Sequence, residues 1–203
     1  MLRSDQIEFF LKKTQVSRET INSLVNFEHK LIESNKNLNL IGKSTISYIW
    51  KRHFLDSAQA IDFIDENIKK IIDLGTGAGF PGIIIGILAK DRKISMKIDL
   101  IEKSTKKANF LREVISNLNL KINVLEQDIL NTNKKFDADL IVARAFKPLQ
   151  TILEILDKKE ANLKKIVLFL GKSAKKELHQ VSKSWNIKYK ERMSITSSDS
   201  LVI

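Results

Sequence analysis

A glycine-rich stretch, Asp73-Leu74-Gly75-Thr76-Gly77-Ala78-Gly79-Phe80-Pro81-Gly82, constrains the fold of this chain more than any other feature. The stretch follows an apolar run at 71–74 and leads into a second apolar segment at 81–89. Glycine permits positive φ and close backbone approach, proline suits the first turn of a helix, and free N–H groups at a helix start favour an anionic ligand group. The stretch therefore predicts a small-molecule site where a strand turns into a helix.

Short apolar runs alternate with helical patterns from residue 70 onward. This alternation is typical of a mostly parallel sheet covered by helices on both faces, in which ligands bind at the carboxyl ends of the strands. The sequence therefore predicts a Rossmann-like α/β fold, closed by an antiparallel hairpin at 187–193 and 200–203. The predicted strands are 71–74, 98–102, 122–126, 139–142 and 166–170, and the predicted helices are 81–89, 105–118, 148–156 and 174–184.

Residues 1–66 carry a different, helical pattern. Ser17 is a good N-cap with Glu19 in the turn that follows it, and apolar residues then recur at helical spacing. A second helical pattern over 45–64 is interrupted around Arg52-His53. A chain of 203 residues is long enough for one substantial core and short for two. We therefore expect a single domain, 1–203, in which a helical N-terminal elaboration, 1–66, precedes a Rossmann-like core, 67–203.

The composition of the chain limits the kinds of partner and of chemistry that we expect of it. Lys and Arg number 35 against 24 Asp and Glu, so the net charge is +11, which favours a polyanion such as nucleic acid. The same excess is expected from an AT-rich genome, because Lys, Asn and Ile are abundant throughout. Cysteine is absent, which excludes disulfides, thiolate metal sites and cysteine nucleophiles. Apolar runs stay below the roughly 18 residues of a membrane span, and the first residues lack a signal-peptide layout, so we expect a cytoplasmic protein without membrane or metal.

Two nucleotide cofactors compete for the glycine-rich stretch. Residues 77–82 satisfy the G-x-G-x-x-G spacing of dinucleotide binders, but in that fingerprint the first glycine follows the strand directly, and the register from Gly75 puts Phe80 at the third glycine. Asp73 instead suits a ligand with a positive amino group, such as the methionine part of S-adenosylmethionine. Glu102, at the end of the second predicted strand, is placed to accept both ribose hydroxyls of either cofactor. A turn kept only for tight packing is the remaining alternative.

Four blocks in this order resemble one family. They are Asn37-Leu38-Asn39-Leu40-Ile41-Gly42, Arg52-His53-Phe54-Leu55-Asp56-Ser57, the stretch 73–82, and Arg144-Ala145-Phe146. From about residue 38 onward the chain resembles the bacterial 16S rRNA 7-methylguanosine methyltransferases, also called the glucose-inhibited division protein B family. The resemblance implies a class I S-adenosylmethionine-dependent methyltransferase fold, and methylation of guanine N7 in the decoding-region loop of small-subunit rRNA.

The resemblance also implies particular site residues. Carried over by motif, Gly75, Phe80 and Arg144 belong to the cofactor site, and the pair after the third strand falls on Ile129-Leu130. The run Gln127-Asp128 stands where the family usually has an arginine, and Asp128 is there expected to contact the adenine amino group instead. After the fifth strand the family's Lys-Gly is replaced by Gly171-Lys172. The full set of expected cofactor residues is Asp73, Gly75, Gly77, Phe80, Glu102, Asp128, Ile129, Leu130 and Arg144.

The residues themselves exclude several methylations. Without cysteine the chain cannot form the ring adduct of the usual 5-methylcytosine enzymes. The only prolines are Pro81 and Pro148, so the Asx-Pro-Pro-aromatic loop typical of exocyclic-amine methyltransferases cannot be built. N7 of guanine needs neither device, because its lone pair is free in the plane of the ring. Catalysis then depends on positioning rather than on a general base.

Arg144, directly after the fourth predicted strand, is the candidate catalytic residue. Its position predicts a contact with the guanine edge or an orienting contact with the cofactor. The alternative is an ion pair with Asp73 or Asp128.

The sequence thus predicts a monomeric S-adenosylmethionine-dependent rRNA guanine-N7 methyltransferase whose partner is 16S rRNA, the small ribosomal subunit or its precursor. Arg52, His53 and Lys172 are the expected RNA contacts, and a structural contact with Asp56 is the alternative for His53. Three other functions are weighed against it. They are methylation of another RNA or a small molecule, NAD(P)-dependent reduction without a recognisable Tyr-x-x-x-Lys dyad, and noncatalytic RNA binding.

Overall fold

The computed structural model describes residues 2–131, 135–159, 161–195 and 197–202, the last of these by backbone alone. Its centre is a seven-stranded sheet in the order β3-β2-β1-β4-β5-β7-β6. The first five strands are parallel, whereas β7 runs antiparallel to both β5 and β6. The strands are β1 Lys70–Leu74, β2 Lys97–Glu102, β3 Ile122–Glu126, β4 Leu140–Arg144, β5 Lys165–Leu170, β6 Arg192–Ser194 and β7 Ser197–Val202.

Helices cover both faces of the sheet, and three of them come before its first strand in the chain. The helices are α1 Arg3–Thr14, α2 Arg18–Leu38, α3 Asp56–Ala58, α4 Gly82–Asp91, α5 Thr105–Asn117, α6 Leu149–Lys158 and α7 Ala174–Val181. Between α2 and β1 the chain also forms 3-10 turns at Lys43–Tyr48 and Gln59–Phe63 and a π-helix at Trp50–Leu55. Ser17 caps α2 as predicted, because its side chain accepts a hydrogen bond from the Thr20 amide at 3.2 Å.

The predicted fold class is confirmed, with two local corrections. The closing hairpin is shorter on its first side than predicted, since 187–191 form no strand and β6 begins only at Arg192. The interruption expected around Arg52-His53 is a π-helix, in which the chain continues to turn but with a wider repeat. Residue 203, the end of the predicted hairpin, lies outside the described residues.

Two apolar clusters lie on opposite faces of the sheet. One includes α6 and α7, and the other joins α4 and α5 to the N-terminal helices. In the second cluster Phe54 connects the two parts of the chain, because its ring lies 5.5 Å from that of Phe27 in α2 and 6.0 Å from that of Phe80 in the glycine-rich loop. The N-terminal helices therefore share their core with the sheet and pack directly against the loop.

Candidate cofactor site

The glycine-rich loop connects β1 to α4 through a backbone that glycine makes possible. Gly75 and Gly77 have φ of 63° and 58°, which is the left-handed region that other residues rarely adopt. The Thr76 amide donates to the Ile101 carbonyl of β2 at 3.1 Å. This bond ties the loop to the carboxyl edge of the sheet, where the alternation of strands and helices predicts the ligand site.

Asp73 supports this loop from behind. Its side chain is fully buried, and Oδ2 accepts hydrogen bonds from Thr76 Oγ1 at 2.7 Å and from the Gly82 amide at 2.8 Å. Oδ1 has no hydrogen-bond partner among the described residues. Burial raises the pKa of this carboxyl from 3.8 to about 7. Asp73 therefore holds the loop in place through these two hydrogen bonds. Its contact with a ligand amino group remains a prediction.

A cleft of about 240 Å³ opens in front of the loop, at the carboxyl ends of β1, β2 and β3. Five of the nine predicted cofactor residues line it. They are Gly75, Glu102, Asp128, Ile129 and Leu130. The remaining four, Asp73, Gly77, Phe80 and Arg144, are not among its lining residues, and the contacts of each show why.

Glu102 connects the cleft to the loop. It is 7% exposed, and its two oxygens accept hydrogen bonds from the amides of Gly77 and Ser104 at 3.0 and 2.8 Å. Gly77 is thereby held through its amide, beside the cleft rather than within it. A carboxylate has about four acceptor positions, so both Glu102 oxygens can accept further hydrogen bonds from a ligand. This geometry fits the predicted binding of a ribose diol.

The segment after β3 forms the far wall of the cleft. Asp128 Oδ1 accepts a hydrogen bond from the Leu130 amide at 3.0 Å, and Oδ2 lies 3.3 Å from Asn131 Nδ2. Ile129 is buried whereas Leu130 is 52% exposed. The segment thus brings a carboxylate and two apolar side chains to one end of the cleft, as an adenine with its exocyclic amine requires.

Arg144 extends away from this cleft, toward the N-terminal helices. Its Nη2 donates to the Arg52 carbonyl at 2.6 Å, its Nη1 to Ser57 Oγ at 3.2 Å, and Asp56 Oδ2 lies 3.4 Å from Nη2. The alternative of an ion pair with Asp73 or Asp128 is corrected, because the partner carboxylate is that of Asp56. The guanidinium therefore joins the end of β4 to the π-helix and α3.

His53 is neutral, and its tautomer follows from its partners. Nδ1 lies 3.3 Å from Arg144 Nη2, and a guanidinium only donates, so Nδ1 accepts. The ring hydrogen is then on Nε2, which donates to Thr45 Oγ1 at 2.9 Å. Burial and the charges of Arg144 and Arg52 lower the His53 pKa to about 3. A neutral ring with both nitrogens bonded is poorly suited to contact phosphate.

The ring of Phe80 packs against both His53 and Arg144. The His53 ring stacks on it at 5.2 Å with 17° between the planes, and the Arg144 guanidinium lies 5.8 Å from its centroid. Phe80 is 6% exposed, so in this structure it packs behind the cleft. Its predicted place in the cofactor pocket stays a prediction.

A second cleft, of about 300 Å³, lies at the carboxyl ends of β4 and β5. Among its lining residues are Ala143, Phe146, Lys147, Phe169 and Gly171. The next residue, Lys172, is exposed in the turn after β5, on the same edge of the sheet. Phe146 and Lys147 line both clefts and were missing from the predicted site. Their position directly after a strand that ends at this edge was the available signal.

His53 and Asp73 should give the protein an unusually flat stability profile in mild acid. The unfolded chain protonates His53 near pH 6.5 but the folded one only near 3, so His53 makes stability fall as pH drops from 6.5 to 3. Asp73 takes up its proton near pH 7 when folded but near 3.8 when unfolded, so it makes stability rise as pH drops from 7 to 3.8. Between pH 4.5 and 6.5 the two contributions oppose each other, and the free energy of unfolding should change little.

Single substitutions should separate the two contributions. In His53→Gln the free energy of unfolding should rise as pH falls from 6.5 to 4.5, and in Asp73→Asn it should fall, each by about 1.4 kcal/mol per pH unit. Urea unfolding of both variants and the parent at three pH values measures these slopes. Parallel profiles for all three proteins would contradict the assignment.

Comparison with known proteins agrees with this geometry. The model of the family described as rRNA small subunit methyltransferase G matches residues 20–201. The chain belongs to this family. It is 40% identical over 195 residues to the ribosomal RNA small subunit methyltransferase G of Pelagibacter ubique (strain HTCC1062), an alignment that covers 95% of this chain and 91% of the relative. With the enzyme of the same name from Bartonella henselae it shares 35% identity over 191 residues, or 94% and 88% of the two chains.

Solved structures support the fold alone. An SAH-bound methyltransferase of Podospora anserina superposes with a TM-score of 0.64 at 13% identity, over 98% of this chain and 93% of that one. A Methanococcus maripaludis protein described as a putative S-adenosyl-L-methionine-dependent methyltransferase gives a TM-score of 0.55 at 16% identity, over 86% and 89%. The predicted family and methyltransferase fold are confirmed, and the chain is an S-adenosylmethionine-dependent methyltransferase.

The described part of the chain was compared with the requirements of a membrane-spanning helix and of a metal site. Within it, no helix combines the length and the apolar character needed to cross a membrane. Among the same residues, no three or more His, Asp or Glu side chains are grouped so that they could hold a metal ion.

Proposed function

We propose that this protein transfers the methyl group of S-adenosylmethionine to N7 of a guanine in 16S rRNA, either naked or within the small ribosomal subunit or its precursor. The single observation that carries the proposal is the cleft lined by Gly75, Glu102 and Asp128 in a chain of the rRNA small subunit methyltransferase G family. S-adenosylmethionine supplies a methyl group on a positively charged sulfur, which is an electrophile that needs no metal.

The residues of the first cleft fit an adenosine. We infer that Asp128 accepts from the adenine amine, that Ile129 and Leu130 contact the faces of the base, and that Glu102 accepts from the ribose hydroxyls. Gly75 contributes no side chain of its own to the wall of the cleft, and we infer that the part of the cofactor that follows the ribose lies over it. Asp73 and Gly77 act indirectly, by fixing the loop against which the cofactor lies.

The proposed acceptor atom suits a site without a general base. N7 of guanine has no proton to lose before it attacks, and His53, near the loop, already uses both ring nitrogens. Positioning then supplies the rate enhancement, by holding the nucleophile in line at about 3–3.5 Å from the methyl carbon. We infer that Arg144 contributes as a positioning residue, because its bonds fix the end of β4 against the N-terminal helices. A direct contact of Arg144 with the base stays a prediction.

Exposed cations near the carboxyl edge suit contacts with phosphate. Arg52, Lys147 and Lys172 are exposed there, in a chain whose net charge is +11. Lysine and arginine contacts to phosphate contribute affinity without reading sequence. We infer that these three residues hold RNA over the two clefts. The monomeric state, the cytoplasmic location and the single-domain organisation also stay predictions.

The test is transfer of labelled methyl from S-adenosylmethionine to 16S rRNA. Naked 16S rRNA and small subunits from cells that lack this gene serve as substrates, and mass spectrometry identifies the modified nucleoside. We expect label in 7-methylguanosine. Label in a different nucleoside would disprove the acceptor atom while preserving the cofactor assignment, and transfer to neither substrate would disprove the proposed RNA acceptor.

A further inference from the structure

The ring of Phe146 lies directly on the backbone of Gly75. A Cβ atom built on Gly75 would lie 2.6 Å from Cε2 and 2.9 Å from Cγ of that ring, and closer still to Cδ2. Phe146 is half-buried, and it packs at the edge of the apolar cluster under α6 and α7. The ring therefore covers the one position of the first cleft that is kept free of a side chain.

A strained residue directs the ring to this position. Ala145, between β4 and Phe146, has φ of 47°, a left-handed conformation that is uncommon for residues other than glycine. The chain thereby turns sharply after Arg144, so that Phe146 folds back across the end of β4 toward β1. Strained backbone of this kind persists only where its surroundings hold it, and it is common in segments that move.

The same ring belongs to the walls of both clefts. Phe146 and Lys147 are the residues that line both. A methyl donor in one cleft and an acceptor in the other must approach to about 3–3.5 Å. Because the ring is part of both walls and lies on Gly75, we expect transfer between the clefts to need its displacement.

The volumes of the clefts lead to the same conclusion. The first cleft, of about 240 Å³, is smaller than the roughly 300–1,000 Å³ typical of ligand pockets, whereas the neighbouring cleft adds about 300 Å³. Removal of the ring from Gly75 would join the two. The joined space would then take both an adenosine-sized ligand and the base that reacts with it.

We propose that Phe146 is a mobile positioning residue that competes with the cofactor for the space over Gly75 and, once displaced, forms the wall of the second cleft against which the acceptor base stacks. This proposal rests on the proposed function. Cofactor binding then moves Phe146 to the position in which it contacts the acceptor base. Each ligand therefore strengthens the binding of the other by the same factor. An aromatic wall is sequence-tolerant, because every base offers a π face.

Calorimetry with S-adenosylhomocysteine and naked 16S rRNA tests the proposal on the full chain. In Phe146→Ala we expect S-adenosylhomocysteine to bind about 3-fold to 10-fold more tightly, because the competing ring is gone. We also expect the affinity of the loaded protein for RNA to fall by about 10-fold, as loss of one stacked base predicts. Phe146→Leu is the matched variant, since it keeps apolar bulk over Gly75 but offers no π face, and should lower RNA affinity alone.

Fluorine NMR of a fluorinated Phe146 gives a second readout that does not depend on activity. Its resonance should shift on addition of S-adenosylhomocysteine and shift again on addition of RNA. Unchanged or weaker S-adenosylhomocysteine binding in Phe146→Ala would overturn the proposal, as would a resonance that does not move. If the parent protein methylates rRNA while these results are negative, only the Phe146 proposal is disproved. If the parent protein binds no S-adenosylhomocysteine, both the Phe146 proposal and the proposed function are disproved.

Discussion

Replacement of Arg144 by methionine should reduce the free energy of unfolding by about 3–5 kcal/mol, which is the usual cost of removing one partner from a buried ion pair. The side chains of Arg144 and Asp56 are only 18% and 10% exposed. The substitution removes the ion pair of Arg144 with Asp56, and it also removes hydrogen bonds to Ser57 and to the Arg52 carbonyl. Urea unfolding measured by circular dichroism gives this number directly.

An exposed ion pair provides the matched control. Arg192 contacts Asp62 at 2.6 Å, but these side chains are 44% and 47% exposed, so Arg192→Met should cost about 0–1 kcal/mol. A double variant, Asp56→Asn with Arg144→Met, should recover part of the loss, since no unpaired buried charge remains. Equal effects of Arg144→Met and Arg192→Met would disprove the buried role of Arg144.

Replacement of Glu102 by alanine should weaken the binding of S-adenosylhomocysteine by at least about 100-fold. The variant removes the acceptor of two ribose hydroxyls, and each hydrogen bond to a charged group contributes about 1.5–3 kcal/mol. It also leaves the amides of Gly77 and Ser104 without their carboxylate, so the loop loses one tie to β2 and keeps the bond from the Thr76 amide to the Ile101 carbonyl. Isothermal titration calorimetry at constant salt is the measurement.

Glu126 is the control for Glu102. The two residues are paired in register at the ends of β3 and β2, but Glu126 bonds to Thr105 and Arg112 and does not line the first cleft. Glu126→Ala should change the affinity for S-adenosylhomocysteine by less than about 2-fold. A similar loss in both variants would show that the effect is general to this edge of the sheet and not a ribose contact.

Much of the fold followed from short-range pattern. The five parallel strands were predicted because buried strands read as short apolar runs between helical segments. The first cleft was predicted in large part because Gly75, Glu102 and Asp128 lie at or just after the ends of strands, and the ends of parallel strands meet at one edge. Such features are encoded locally and need no knowledge of distant contacts.

The contacts of Arg144 and Phe146 could not be predicted in the same way. Arg144 and its partner Asp56 lie 88 positions apart along the chain, counted from the residue numbers, and no periodicity links them. The direction of Phe146 depends on the positive φ of Ala145, a conformation that an alanine does not indicate in a sequence. Both contacts depend on how the N-terminal helices and the sheet meet, which is a property of the whole fold.

The aromatic contacts between Phe27, Phe54 and Phe80 have a consequence for how the chain folds during its synthesis. The helices that contain Phe27 and Phe54 leave the ribosome first, but the surface they cover is made only when the glycine-rich loop and α4 follow. The carboxylate of Asp56 meets its ion-pair partner later still, because Arg144 lies at the end of β4. Until Arg144 has emerged, a nascent chain exposes apolar surface and a carboxylate that the finished protein buries, and such chains are the ones that chaperones bind.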